Sequence, residues 1–264
     1  MGLVDTHAHL DHERFDSDRE QIIGTLKDSG VDCCITIADS VESSRAACAL
    51  AQKHEPIYAA AGVHPHNAGD CAPGYLAELE QLLSGAKAAA VGEIGLDYHY
   101  DFSPREAQKR VMLEQIALAG RLGKPVVFHV REAWGDFLAL LRAGEIPSAA
   151  VLHSFSGSIE SLRECLDRGM MVSFTGIVTF KNAKTVKEAA VFAPADRIMV
   201  ETDCPYMTPE PFRGKRCEPA HVRHTAEYIA ALRGMDAQEF FELTSDNARR
   251  FFGIAGQASS ARQQ

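Results

Sequence analysis

The sequence predicts an α/β protein folded as one (β/α)8 barrel of the TIM type. Three observations carry that expectation. Short apolar runs alternate with longer helical patterns along all 264 residues. Eight such pairs fit into the roughly 250 residues typical of this barrel, with no linker or low-complexity break. Most of the apolar runs lack polar alternation, as parallel strands buried on both faces do. The barrel is expected over 1–254, and the small polar tail 255–264 is expected to fray. An open doubly wound sheet usually carries a G-x-G-x-x-G turn after its first strand, whereas here that strand ends in His-Ala-His.

The strands are predicted at 3–6, 33–38, 57–62, 88–93, 126–129, 149–153, 171–175 and 198–202, segments rich in Val, Ile and Ala. Helical patterns fill the gaps at 16–29, 43–54, 72–83, 103–122, 132–142, 158–168 and 183–192, then at 220–232 and 237–252 after the last strand. The fourth helix opens on "SPRE", a serine cap followed by proline at the first helical position. Gly30, Gly123, Gly144 and Gly169 each follow a helix and serve as C-terminal stops.

The chain is 46% hydrophobic and 24% charged, ordinary for a water-soluble globular domain. Its net charge of −9 argues against bulk duplex binding, which needs basic patches, but leaves room for a local site that takes a phosphate. Seven cysteines, irregularly spaced and without a C-x-x-C pair, suggest reduced thiols and a cytoplasmic setting. No signal-peptide pattern is evident, and no apolar run reaches membrane-spanning length. "MGLVDT" matches a myristoylation pattern, yet the same residues read as a strand entering a core. A monomer is compatible with the sequence, which does not fix the oligomeric state.

The unusual polar residues fall at predicted strand ends. Strand one ends in His7 and His9, strand three runs into His64 and His66, and strand four reaches Glu93 between glycines. Strands five, six and eight end in His129, His153 and the pair Glu201 and Asp203. In a parallel barrel these ends meet at one mouth, where residues two apart on a strand share a direction. Clustered ionisable groups cost desolvation energy unless they are paired or metallated. Four imidazoles and two carboxylates (His7, His9, His129, His153, Glu93, Asp203) suit divalent ions such as Mn or Zn and outnumber one tetrahedral set. Two divalent ions with Glu93 between them is the natural count. Any one of these histidines alone would more often be a hydrogen-bonded core residue; five strands contributing at one end is a poor fit to chance. His64 reads as a substrate contact or a group supporting the ligands. His66 and His99 read as structural, and Arg131 as either an anion contact or a partner for a nearby carboxylate.

The stretches "LVDTHAHLD", "GEIGLDYH", "KPVVFHVREA", "LHSFSG", "ETDCPY" and "NARRFFG" together resemble the TatD family of metal-dependent deoxyribonucleases, among the amidohydrolase-like barrels. The match runs from Leu3 to Gly253. The resemblance implies two divalent ions (Mg, Mn or Zn), one held by His7, His9 and Asp203 and the other by His129 and His153, with Glu93 shared. It also implies that His64 contacts substrate phosphate. Two departures bear on substrate preference more than on metal binding: Cys217 stands where the family often has asparagine, and Gly135 where an acidic residue is expected.

The expected activity is metal-dependent cleavage of phosphodiester bonds, removing nucleotides from single-stranded or frayed DNA ends, with RNA also accepted. Asp203 would accept a proton from the attacking water, and Glu201 would orient a ligand histidine. Arg213, Lys215 and Arg216, a basic loop on an acidic protein, would contact the nucleic-acid backbone. Hydrolysis of a small amide, lactone or phosphoester on the same centre is the alternative, and a non-catalytic, metal-stabilised binding protein is a third reading.

Overall fold

A computed structural model describes residues 2–254. The predicted tail 255–264 lies outside the described residues. Eight strands run β1 Leu3–Ala8, β2 Val31–Ile37, β3 Ile57–Ala61, β4 Ala88–Asp97, β5 Val126–Arg131, β6 Ala150–Leu152, β7 Met171–Phe174 and β8 Ile198–Val200. They pair in chain order, every pair parallel. The last meets the first through a parallel bridge between Ala8 and Cys204, where the His9 amide donates to Cys204 O (2.8 Å) and the Asp203 amide to His7 O (2.8 Å). The expected (β/α)8 barrel is therefore the fold.

Helices α1 Arg19–Gly24, α2 Val41–Lys53, α3 Tyr75–Leu83, α4 Arg105–Leu122, α5 Trp134–Ala143, α6 Ile159–Asp167, α7 Lys184–Phe192, α8 Val222–Arg233 and α9 Ala237–Phe252 surround the sheet. Alternate strand residues face two cores. Val4, Ile35, Ile37, Ala60, Val127, Val151, Met171 and Met199 fill the barrel interior. Their neighbours, such as Leu3, Cys34, Val126 and Phe128, face the helices. Phe252 and Ile254, at and just beyond the end of α9, join the interior core and close its floor. Full burial of each such side chain contributes about 1.5–3 kcal/mol. The Gly2 amide donates to Asp32 Oδ2 (2.9 Å), which also pairs with Arg249 (2.7 Å).

Three departures from the sequence reading bear on the site. β4 runs four residues past Glu93, because Leu96 and Asp97 pair with Val130 and Arg131 of β5. Gly95 makes that approach possible: a Cβ there would lie 1.9 Å from His129 O. Ser103 does not cap α4. Its hydroxyl donates to His66 O (2.7 Å) and accepts from the Gly69 amide (2.9 Å), tying the start of α4 to the loop after β3. The first helix is shorter than predicted, preceded by a 3-10 turn over Glu13–Phe15. Arg19 turns away from that helix to bind Leu10 O (2.6 Å) and Asp11 O (3.0 Å), fixing the loop that leaves β1. All seven cysteines are free, and among the described residues no helix is long and apolar enough to cross a membrane.

Candidate metal centre at the barrel mouth

Strand ends set the positions of the polar side chains. His7, on β1, is buried; His9, just past the end of that strand, is half-buried. Their Nε2 atoms lie 3.3 Å from each other; His7 Nε2 is 3.3 Å from Glu93 Oε2, and His9 Nε2 is 3.3 Å from Asp203 Oδ1. Asp203 follows β8 with φ 56°, a left-handed backbone for a non-glycine residue. The Asp203 amide bond to His7 O holds it, and the carboxylate turns back to the barrel axis. From the other side His129 Nδ1 (2.9 Å), His153 Nε2 (3.0 Å) and His64 Nε2 (3.7 Å) face Glu93 Oε1. Every hydrogen-bond or ion-pair partner of the Glu93 carboxylate among the described residues is an imidazole.

The outer nitrogens decide what these imidazoles can do. His9 Nδ1 donates to Ile37 O (2.9 Å), since a carbonyl can only accept. His129 Nε2 donates to Asp97 Oδ2 (2.9 Å), and His153 Nδ1 to Glu201 Oε1 (3.0 Å). With the far N–H of each ring anchored, the near nitrogen of each is left to face the carboxylates Glu93 and Asp203. Anchoring of this kind is how proteins fix ligating histidines. His7 is the exception, because its Nδ1 is buried with no hydrogen-bond partner among the described residues. His64 reads differently. Its Nδ1 accepts from the His66 amide (3.1 Å), so the neutral ring carries its proton on Nε2. Its donors could close a three-residue set with Glu93 and His129, yet a protonated Nε2 donates rather than ligates.

The charge balance fits the same picture. Burial would raise the Glu93 pKa, but His153, His7, His64 and the bond from His129 hold it well below the usual carboxylate range. Burial opposes charge on His9, and Asp203 nonetheless lifts its pKa to about 9. His153 is likewise raised against burial, by Glu93 and Glu201. Burial instead pushes His64 well below its ordinary value, so that ring stays neutral. Divalent ions would supply the positive charge that these carboxylates draw, as metal binding to imidazoles releases protons. The donor set suits such ions: His7, His153 and Asp203 form one group with donors within 4.8 Å, and His7, His9 and Glu93 another.

The pattern of residues 4–253 matches that of the TatD related DNases. The chain belongs to that family. It is 42% identical over 253 residues to the uncharacterized metal-dependent hydrolase YabD of Bacillus subtilis, covering 96% of this chain and 99% of the relative. It is 35% identical to the 3'-5' ssDNA/RNA exonuclease TatD of Pectobacterium atrosepticum, covering 96% and 100%. The crystal structure of YJJV, a TatD homolog from Escherichia coli, superposes with a TM-score of 0.90 at 30% identity, covering 96% and 98%.

The rest of this TatD-family site is a mixed return on the sequence reading. A cavity of about 390 Å³ opens above Glu93, lined among others by His64, His129, Arg131, His153 and Asp203. Glu201 lies beneath it, held by His153 and by the Ser154 amide (2.6 Å). Arg213 and Lys215 line a second cavity with Arg14, sharing Tyr206 and Met207 with the first. Arg216 is not brought to either cavity. Its guanidinium bonds Asp18 and Glu218, so its charge is spent holding the β8–α8 loop against the loop before α1. Cys217 is buried behind β8, its thiol 4.0 Å from Thr202 O, and Gly135 is exposed on α5. Neither lines the mouth.

Asp97 and His66 were missed as functional residues. Asp97 Oδ2 also accepts from His66 Nε2 (3.0 Å), and its Oδ1 accepts from the His99 (3.0 Å) and Tyr100 (2.9 Å) amides. Against burial, His129 and His66 hold its carboxyl far below the usual range. Gln108 of α4 pins the strand end, its Oε1 accepting from the Asp97 amide (2.8 Å). The signal was present in "GEIGLD": Glu93, Gly95 and Asp97 share a face if the strand continues.

Proposed function

We propose that this protein is a metal-dependent phosphodiesterase that removes nucleotides from single-stranded DNA ends, with RNA also accepted. The observation that carries the reading is the set of anchored imidazoles, His9, His129 and His153, converging with Asp203 on Glu93. The exonuclease name of the Pectobacterium relative supports the substrate class.

In this reading His7, His9 and Asp203 would hold one divalent ion, His129 and His153 would hold a second, and Glu93 would serve both. When bound, the two ions neutralise phosphate charge and acidify a water molecule. His64, neutral and protonated on Nε2, donates to a phosphate oxygen. Asp203 accepts the proton of the attacking water. Glu201 and Asp97 are positioning residues that keep the far nitrogens of His153 and His129 occupied. Arg131 lines the mouth, where its charge can face a phosphate. Arg14, Arg213 and Lys215 form no ion pair among the described residues, and their cavity adjoins the mouth, which suits the trailing backbone of a strand. Free thiols throughout support a cytoplasmic setting.

The test uses chelator-treated protein reloaded with Mg, Mn or Zn and an end-labelled single strand. Stepwise shortening from one end, absent without metal and slower on a blunt duplex, is expected. No product with any of the three ions would overturn the reading.

A further inference from the structure

We propose that Tyr100 and Phe102 form a stacking platform for an unpaired nucleobase of the substrate; this rests on the nuclease reading above. The loop that carries them leaves β4 just after Asp97. Of the six large hydrophobic side chains exposed among the described residues, three (Tyr100, Phe102 and Tyr206) line this one mouth. Phe102 is 68% exposed and Tyr100 48%. Their rings stack with centroids 5.3 Å apart and planes 26° from parallel. Exposed apolar rings are costly in water and mark sites where something flat and apolar docks.

The platform is held rather than loose. The His66 ring meets Phe102 edge-on at 4.8 Å and Tyr100 at 5.3 Å. His66 is itself fixed on Asp97, the carboxylate that orients His129. Asp97 also accepts the Tyr100 amide, so one side chain sets both the ligand histidine and the loop bearing the platform. His66 lies 4.2 Å from the His64 ring and 6.2 Å from that of His129. The platform is thus one ring removed from the groups that face the scissile phosphate, a nucleoside's reach from its own phosphate. The Arg131 guanidinium covers the Tyr100 ring at 4.8 Å, adding positive charge beside the stack. Nucleobases stack on such faces whatever their identity, while a paired base has its faces already covered by its neighbours. The platform therefore selects for unpaired strands without reading sequence.

The test measures binding to manganese-loaded protein, with no turnover. The probe is a fluorescent single-stranded hexanucleotide with non-hydrolysable methylene-phosphonate linkages, compared with a fully abasic strand of the same backbone. The native protein is expected to bind the base-bearing strand about tenfold more tightly. The double variant Tyr100→Ala with Phe102→Ala should reduce that preference to about twofold. Tyr100→Phe with Phe102→Tyr, which keeps both rings, should retain it. A preference unchanged in the alanine variant, or one lost equally in the ring-keeping variant, overturns the platform. Native protein that binds both strands equally overturns the platform alone; native protein that binds neither overturns the nuclease reading as well.

Discussion

The two ends of the barrel are buried to a similar degree and built on opposite terms. At the floor, Met171, Met199, Val4 and Phe252 meet in an apolar core, and the nearby charges are matched: Arg249 with Asp32 at 2.7 Å. At the mouth, Glu93 and Asp203 are almost fully buried among imidazoles, and His7 Nδ1 has no hydrogen-bond partner among the described residues. An apolar floor lowers the free energy of the folded chain, whereas a buried ionic cluster raises it unless something else completes the pairing. The difference teaches where to look for function: the end that gives up stability is the one whose side chains could hold a metal ion.

Four substitutions can break or sharpen that contrast. Glu93→Gln should have the largest effect, removing the carboxylate on which the imidazoles converge. Metal-stimulated hydrolysis is expected to fall about 10³-fold or more while the circular dichroism spectrum stays native. Activity within tenfold of the parent would mean that the mouth is not organised around Glu93. Phe252→Ala attacks the floor instead. It should destabilise the protein by about 3–5 kcal/mol in denaturant titration, with specific activity of the folded fraction within twofold. A large loss of activity without a loss of stability would erase the division between the ends.

Asp97→Asn leaves shape in place and withdraws the anchor from His129. Metal affinity, read by calorimetric titration, should weaken about 10–100-fold. An unchanged affinity would demote Asp97 to a loop brace. Gly135→Glu should have the smallest effect. A Cβ there meets nothing within 4 Å, and an acidic residue in the first turn of α5 suits the helix dipole. Stability should rise by up to about 1 kcal/mol by thermal melt, with activity unchanged; a substrate-dependent change in activity would show that this departure from the family does reach the mouth.

Much of the barrel could be read from local pattern. Apolar runs of four to six residues mark strands because both faces of a parallel strand are covered, and the helix stops at Gly123 and Gly144 follow from a left-handed backbone that glycine tolerates. The convergence of His7, His9, Glu93, His129, His153 and Asp203 was also legible, since closure of a parallel barrel brings all strand ends of one sense together. Arg216, read as a nucleic-acid backbone contact, pairs with Asp18, and no local pattern contains that partner because it lies 198 residues away. Ser103 likewise looked like a cap until the loop after β3 claimed its hydroxyl.

The sequence by itself determined which residue types stand at each strand end, because hydrophobic period and chain order are local properties that survive in one dimension. Only the tertiary structure decided the role of each nitrogen. Whether an imidazole ligates, donates or merely packs depends on what its far side touches, and Ile37 O, Asp97 and Glu201 reach those rings only after the barrel closes. The same holds for Tyr100 and Phe102, ordinary loop aromatics in the text, whose exposure at the barrel mouth beside Asp97 exists only in the folded chain.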